Sequence, residues 1–274
     1  MSHPAVRSLH IHPVKSLRAL ARDEAEVQPW GLAGDRRWAV VDGDGKVVTQ
    51  RRHPRMALAT AEQEPDGGIV LSAPGREALA VGVPAPRSTV TVDIFDTAVE
   101  AVPAGAAADA WFSGHLEDRV RLVHLDAPEH RRPIEPGYAR PGETVTLADG
   151  YPLLVTTTAS LDALNSLLAR GDHADEGPLP MDRFRPNLVV EGTAPWAEDG
   201  WTRLAVGEVT FRVAKPCGRC VVTTTDQATA ARGKEPLRTL ARHRKLDGRL
   251  VFGQNLIPDT TGTIRVGDPV TILG

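Results

Sequence analysis

The sequence predicts a mostly β protein with a few helices, which belongs to the α+β class. Short apolar or alternating runs recur along the chain, and turn residues separate them. The 274 residues include 25 glycines and 22 prolines, and few apolar stripes are long enough for a helix. In the first hundred residues, several short strands at this spacing indicate a small barrel or sandwich. The best domain boundary lies near residues 100–115, a stretch rich in alanine, proline and glycine.

The predicted elements of the first part are strands joined by tight turns. Residues 42–45 read Asp-Gly-Asp-Gly, a strong hairpin signal between two apolar runs. The predicted strands cover residues 6–11, 38–41, 46–49, 69–71 and 89–92.

The second part mixes strands with a few helices. Residues 157–160 form a helix-capping cluster before leucines at helical spacing. A polar loop opens at residue 130, and the last segment reads as a strand pair around a Gly-Asp-Pro turn. Predicted helices start at residues 106, 157 and 236, and predicted strands cover residues 120–123, 151–156, 187–191, 209–213, 221–226 and 263–273.

Composition excludes several classes of protein. Apolar residues make up 41%, charged residues 24%, and the net charge is −3, so no broad basic field invites nucleic acid or an anionic membrane. The N-terminus lacks the apolar core of a secretory signal, and no run of about 18 apolar residues predicts a membrane span. Two cysteines without a signal indicate free thiols in a reducing cytosol, so we expect a cytoplasmic protein.

The two cysteines, Cys217 and Cys220, form one Cys-x-x-Cys pair. A zinc site needs about four ligands, and no second pair exists, although His243 or another histidine could complete one. A thioredoxin-like pair begins a helix, whereas the β-branched residues after Cys220 favour a strand. Two inert, buried thiols are a further reading. The remaining reading is a thiolate, favoured by Lys215 and Arg219, that binds a soft or transition metal carried by an organic cofactor.

Such a cofactor needs groups that hold its anionic part. The candidates are Lys15 with Ser16, Arg36, Arg185, and the helix start at residues 157–158. Arginine can hold phosphate through two hydrogen bonds, and a helix N-terminus offers free backbone N–H groups. Each candidate alone is more typical of a solvated charge or a plain helix cap. The zinc, redox and inert readings therefore stay open on this evidence.

Several ordered segments resemble one known family. Residues 12–16 read His-Pro-Val-Lys-Ser, and residues 183–187 read Arg-Phe-Arg-Pro-Asn. Further matching segments cover residues 31–38, 197–207, 217–226, 234–237, 252–255 and 262–270. Over nearly the whole chain, they resemble MOSC-domain proteins with an N-terminal MOSC β-barrel. Mitochondrial amidoxime-reducing components and bacterial reductases of N-hydroxylated bases are of this kind.

The resemblance implies a β-barrel domain over residues 1–110, a β-barrel MOSC domain with a few helices over residues 111–274, and a molybdenum cofactor between them. Cys220 matches the metal ligand and catalytic residue, and Cys217 is its supporting neighbour. The cofactor, a pterin dithiolene with or without a nucleotide, would be held by residues from both halves. The matching positions are Lys15, Ser16, Arg36, Thr157, Thr158, Arg185, Gly218, Arg219 and Asn255.

The resemblance also implies an activity, the reduction of N–OH to N–H in a small-molecule substrate. Two cysteines cannot form the four-cysteine cluster site of a plant-type ferredoxin. Electrons are therefore expected from a separate protein of ferredoxin, flavodoxin or reductase type. The alternative is a module that carries the cofactor or sulfur without turnover. Nucleic acid and membranes are not expected as partners.

Overall fold

A computed structural model describes residues 3–274 and confirms the α+β class. Strands dominate it, and the α-helices are short. The helices are α1 (Ala106–Leu116), α2 (Pro128–Arg131), α3 (Thr158–Leu168) and α4 (Leu237–His243). The strands are β1 (Ala5–Ile11), β2 (Leu20–Arg22), β3 (Glu24–Gln28), β4 (Gly31–Leu32), β5 (Trp38–Val41), β6 (Thr60–Gln63), β7 (Ile69–Ala73), β8 (Arg76–Val81), β9 (Val90–Ile94), β10 (Thr97–Pro103), β11 (Arg121–His124), β12 (Leu153–Thr157), β13 (Leu188–Glu191), β14 (Arg203–Val206), β15 (Val209–Gly218), β16 (Lys245–Leu246), β17 (Arg249–Pro258), β18 (Gly262–Arg265) and β19 (Val270–Ile272).

The largest sheet joins the beginning of the chain to its second half. It has nine strands in the order β19-β14-β15-β17-β12-β13-β1-β2, with β16 beside β17. Strand β1 pairs antiparallel with β13, and β12 pairs parallel with β13. The loop that follows β1 is therefore fixed beside the C-terminal strands. This pairing brings residues 12–18 next to the second half of the chain.

The other sheets belong mainly to the first half. One has the order β5-β11-β10-β9, another β6-β7-β8, and the third β18-β3-β4. Helix α1 packs its Trp111, Phe112 and Leu116 into a core with Trp38 and Met56. Within residues 3–274 each sheet is an open path of paired strands, so hydrogen bonds do not close the predicted barrels.

Most sequence-predicted elements are present, but several predictions are wrong. The helix predicted from residue 106 begins there. Residues 46–49 form no strand, because Lys46 and Val47 make only isolated bridges. Residues 221–224 form a 3₁₀ helix where a strand was predicted. The last two strands do not pair with each other, because β18 pairs with β3 and β19 pairs with β14. The polar loop predicted from residue 130 begins inside the short helix α2.

No helix in residues 3–274 combines the length and the apolar character that crossing a bilayer requires.

A buried histidine beside the core makes the folded state sensitive to acid. The His124 ring lies 4.4 Å from the Trp38 ring, and none of the residues that the structure describes forms a hydrogen bond with His124 Nδ1. Burial, assisted by the nearby Arg37, lowers the pKa of His124 to about 4. The unfolded chain takes up this proton near pH 6.5, whereas the folded chain does so only near pH 4. The free energy of unfolding therefore falls as the pH drops through this range, by about 3 kcal/mol from this group.

We expect His124→Leu to remove most of that acid sensitivity. Urea unfolding of wild type and variant at pH 7.5 and pH 4.5 measures this effect. The difference between the two proteins isolates His124, because all other titrating groups are present in both. The loss of stability on acidification should be about 2–3 kcal/mol smaller in the variant. An equal loss in the two proteins would show that His124 titrates normally when folded.

Candidate functional site

A cleft between the two halves of the chain collects most of the sequence-predicted residues. It is partly open to solvent and has a cavity volume of about 120 Å³. Its lining includes six cations but only one carboxylate, that of Asp149. The cations are Lys15, Arg36, Arg51, Arg183, Arg185 and Arg219. A small molecule of net negative charge suits this lining.

The structure places eight of the ten predicted site residues on this cleft. They are Lys15, Ser16, Arg36, Arg185, Gly218, Arg219, Cys220 and Asn255. Thr157 and Thr158 are not part of the lining. Thr157 instead caps helix α3, where its hydroxyl accepts from the Ser160 N–H and donates to the buried Glu198 carboxyl. The predicted cofactor role of these two threonines stays a prediction.

The cysteine pair spans the end of a strand and the start of a 3₁₀ helix. Cys217 lies in β15, and Cys220 is the residue that precedes the 3₁₀ turn over Val221–Thr224. The Thr223 hydroxyl donates to the Cys220 carbonyl at 2.9 Å, and the Thr224 hydroxyl donates to that of Val221. These local bonds fold the segment back into a turn. Both cysteines are free thiols and half-buried on the cleft.

The two cations next to the cysteines are both engaged elsewhere. Lys215 forms an ion pair with Glu135 at 2.5 Å, and its ammonium lies 4.7 Å and 5.1 Å from the rings of Tyr138 and Tyr151. Arg219 donates twice to the Phe252 carbonyl, at 2.6 and 2.9 Å, and once to the Phe184 carbonyl at 3.0 Å. Arg219 therefore fixes the loop that carries Cys220. Sequence reasoning assigned both cations to the thiolate, but their heads contact these other groups.

We expect Arg219→Ala to destabilise the cofactor-free protein by about 2–4 kcal/mol. The change removes three hydrogen bonds from a charged donor and leaves the carbonyls of Phe184 and Phe252 without them. Arg219→Lys should fall between wild type and alanine, because an ammonium lacks the planar fork. Urea denaturation measures both, with Arg7→Ala as the surface control. If Arg219→Ala were as stable as Arg7→Ala, Arg219 would not hold the loop that carries Cys220.

Three cations at the base of the cleft are held close together. Lys15 is only 4% exposed, and burial lowers its pKa to about 8 despite its ion pair with Asp149. Burial and the neighbouring Arg36 lower the pKa of Arg185 to about 9. Arg185 Nη1 donates to the Leu17 carbonyl at 2.7 Å, but Arg185 Nη2 has no partner in the described part of the chain. Perturbed pKa values such as those of Lys15 and Arg185 are typical of functional sites.

The backbone is also unusual at three of these positions. Ser16, Arg36 and Arg185 have φ angles of 69°, 49° and 54°, in the left-handed region that favours glycine. Such conformations cost about 1–3 kcal/mol each and persist where the surroundings enforce them. The Arg36 head is fixed by Asp35 at 2.5 Å and by the Asn187 side chain at 3.0 Å. The site is therefore rigidly built from strained turns.

Sequence reasoning missed several residues of the cleft. Asp149 is not among the sequence-predicted residues, yet its carboxylate contacts Lys15 and lies 3.7 Å from Arg51. The ion pair with Lys15 holds the pKa of Asp149 well below its usual range, although desolvation opposes this. The buried Arg132 donates to the carbonyls of Thr146, Ala148 and Asp149, and so positions that loop. Arg183, Phe184 and Asn187 had a usable signal, because they lie in the segment 183–187.

A buried pair of amides joins the two sides of the cleft. The side chains of Gln50 and Gln227 donate to each other, at 3.0 and 3.1 Å. Gln50 also donates to the Ser16 carbonyl at 2.8 Å, and Gln227 donates to that of Thr225. Both residues are almost fully buried. We call them the amide pair, and it sets the position of the Ser16 turn relative to the segment after Cys220.

Comparison with known proteins identifies both halves of the chain. The profile of the MOSC N-terminal beta barrel domain matches residues 3–119, and that of the MOSC domain matches residues 142–271. Human mitochondrial amidoxime-reducing component 1 is 34% identical, over 98% of this chain and 83% of that protein. The mouse protein of the same name is 35% identical, and human component 2 is 32% identical. They span 98% and 97% of this chain, and 82% of each relative. The predicted domain boundary near residue 110 stays a prediction. The chain belongs to the family of MOSC-domain proteins that carry an N-terminal MOSC β-barrel domain.

Proposed function

We propose that this protein is a molybdenum-cofactor-dependent reductase that converts N-hydroxylated small molecules to their N–H forms. The observation that carries the proposal is the cleft, which is lined by Cys220 and seven other predicted residues from distant parts of the chain. The family membership supports it, since the matched relatives are named for the reduction of amidoximes.

The donor set of the cleft fits such a cofactor. A cysteine thiolate is a soft ligand of the kind that holds such metals, and Cys220 lines the cleft. The excess of cations over carboxylates suits an anionic pterin phosphate, with or without a nucleotide. Arg185 Nη2 has no hydrogen-bond partner among residues 3–274, and a bound anion would offer one. Among residues 3–274 no group of three or more His, Cys, Asp and Glu side chains could hold an ion, so zinc is the weaker interpretation.

The residues of the chain then have separate roles. Cys220 would bind the metal, and Lys15, Arg36 and Arg185 would hold the anionic part of the cofactor. Arg219 keeps the Cys220 loop in place. When bound, the cofactor supplies a two-electron reduction, R–NHOH + 2e⁻ + 2H⁺ → R–NH₂ + H₂O. The protein's contribution is to bind, orient and partly desolvate the reactants.

The electrons would come from a separate redox protein of the ferredoxin, flavodoxin or reductase type. The only two cysteines lie together at positions 217 and 220, too few for an iron–sulfur cluster of the four-cysteine kind. The relatives carry the word mitochondrial in their names. The cytoplasmic location of this chain stays a prediction from its sequence.

The test uses protein produced in a host that makes the cofactor. Molybdenum is measured by elemental analysis, pterin by fluorescence after oxidation, and turnover by conversion of benzamidoxime to benzamidine with reduced methyl viologen. About one molybdenum and one pterin per chain with turnover supports the proposal. Cofactor without turnover would indicate the carrier alternative. One zinc and no pterin would overturn both.

A further inference from the structure

The turn between β9 and β10 has residues that its geometry does not favour. Ile94 pairs with Thr97, so Phe95 and Asp96 form a two-residue hairpin turn. Their φ angles are 51° and 64°, both positive, as a type I′ turn requires. Such turns prefer Asn-Gly or Asp-Gly, and a bulky residue with positive φ is a true outlier. Phe95 therefore adopts a backbone conformation that its residue type does not favour.

The Phe95 ring lies beside two cations of the cleft. Its centroid is 4.8 Å from Arg51 Cζ and 5.5 Å from Lys15 Nζ, and both residues line the cleft. The residue is nevertheless 49% exposed. The hairpin thus presents an aromatic side chain at the edge of the cleft, with much of its surface free for another molecule.

A second exposed aromatic residue lies at another edge of the cleft. Tyr138 is 44% exposed and packs edge-on against Tyr151, which lines the cleft, at 6.0 Å. Among the described residues, Phe95 and Tyr138 are the exposed aromatic side chains. Scattered exposed apolar residues are ordinary on a protein surface, but both of these pack on residues of one cleft. Two exposed aromatic rings therefore lie next to residues that line this cleft.

We propose that Phe95 is a specificity-determining residue whose ring contacts the planar aromatic part of the substrate. The N–O group of that substrate lies further inside the cleft. This inference rests on the proposed function and narrows its substrates to N-hydroxylated compounds with an aromatic body. Three observations support this role. The backbone of Phe95 has a sparsely populated φ, its ring is exposed, and the ring lies beside two cations of the cleft. Aromatic pairs gain energy beyond area burial, so the contact discriminates aromatic from aliphatic substrates.

The experiment compares Phe95→Gly with the matched control Asp96→Gly. Both changes place glycine at a positive-φ position of the same turn, but only the first removes the ring. Both should raise the melting temperature, by roughly 1–5 °C. With methyl viologen as donor, Phe95→Gly should raise KM for benzamidoxime about fivefold to tenfold, with little change for acetamidoxime. Asp96→Gly should leave both KM values unchanged, and the molybdenum content of each protein is measured alongside.

Equilibrium binding of benzamidoxime without any electron donor gives a second readout, independent of turnover. The affinity should fall about fivefold to tenfold in Phe95→Gly and stay constant in Asp96→Gly. Equal effects on benzamidoxime and acetamidoxime, or no effect on either, would overturn the role of Phe95. So would a defect seen only with a protein electron donor, which would assign the ring to partner docking. If wild type binds benzamidoxime more tightly than Phe95→Gly does but reduces neither compound, the proposed reaction is wrong. The proposed contact between Phe95 and the aromatic ring would still be supported.

Discussion

Cys220→Ser is expected to lower the molybdenum content about 100-fold or more and to abolish turnover of benzamidoxime. Loss of a residue that only supports a metal ligand already costs about 10–100-fold in affinity, so loss of the ligand itself should cost more. A serine hydroxyl is a hard and weakly acidic donor, which suits this metal poorly. Elemental analysis and single-turnover assays measure the two effects.

Cys217→Ser is the matched control, because it makes the same chemical change three residues away. Burial raises the pKa of Cys217, although Arg219 opposes the shift, so this side chain stays a thiol at neutral pH. We expect the variant to keep most of its metal and activity. Both variants should melt within about 2 °C of the cofactor-free wild type, since neither cysteine is fully buried. Equal metal loss in the two variants would contradict the assignment of Cys220 as the single ligand.

Arg185→Met is expected to separate binding from stability. The pKa of Arg185 is lowered to about 9 by burial and by Arg36, so its charge is costly in the cofactor-free protein. Removing that charge should raise the free energy of unfolding by about 1–3 kcal/mol, after the lost bond to the Leu17 carbonyl is discounted. Cofactor retention should fall about 100-fold, because a charge-assisted contact to an anion disappears.

Urea denaturation of cofactor-free protein and pterin analysis of purified protein measure the two effects of Arg185→Met. The control is Arg7→Met, since Arg7 lies on the surface and its side chain is 64% exposed. This control should change neither quantity noticeably. If Arg185→Met lowered both the stability and the cofactor content, Arg185 would be a structural residue whose buried charge does not destabilise the cofactor-free protein.

The sequence predicted the cleft better than it predicted the local structure around the cysteines. Lys15, Arg36 and Arg185 are far apart in the chain, yet their motif positions indicated one site, and all three line it. The run after Cys220 is rich in β-branched residues, which favour strands. The hydroxyls of Thr223 and Thr224 bond to carbonyls three residues earlier and produce a 3₁₀ turn instead.

Residues whose partners are distant in the sequence could not be predicted from sequence patterns. Arg132 and Asp149 lie in a loop without periodicity, and their roles arise from carbonyls and cations that only folding brings near. Lys215 was assigned to the thiol because it is adjacent in sequence, but Glu135 and two tyrosine rings hold its head. Proximity along the chain was therefore a poor guide to electrostatic partners.

The amide pair has a consequence for how this protein can change over generations. The buried amides of Gln50 and Gln227 hydrogen-bond to each other. Replacing one of them leaves the other amide without this partner, which lowers the free energy of unfolding by about 1–3 kcal/mol. Replacing both with apolar residues would remove that mutual cost, but it would still leave the carbonyls of Ser16 and Thr225 without these donors. Lineages that descend from this sequence should therefore keep both glutamines. A single change would be rare, because the remaining amide would lose its partner.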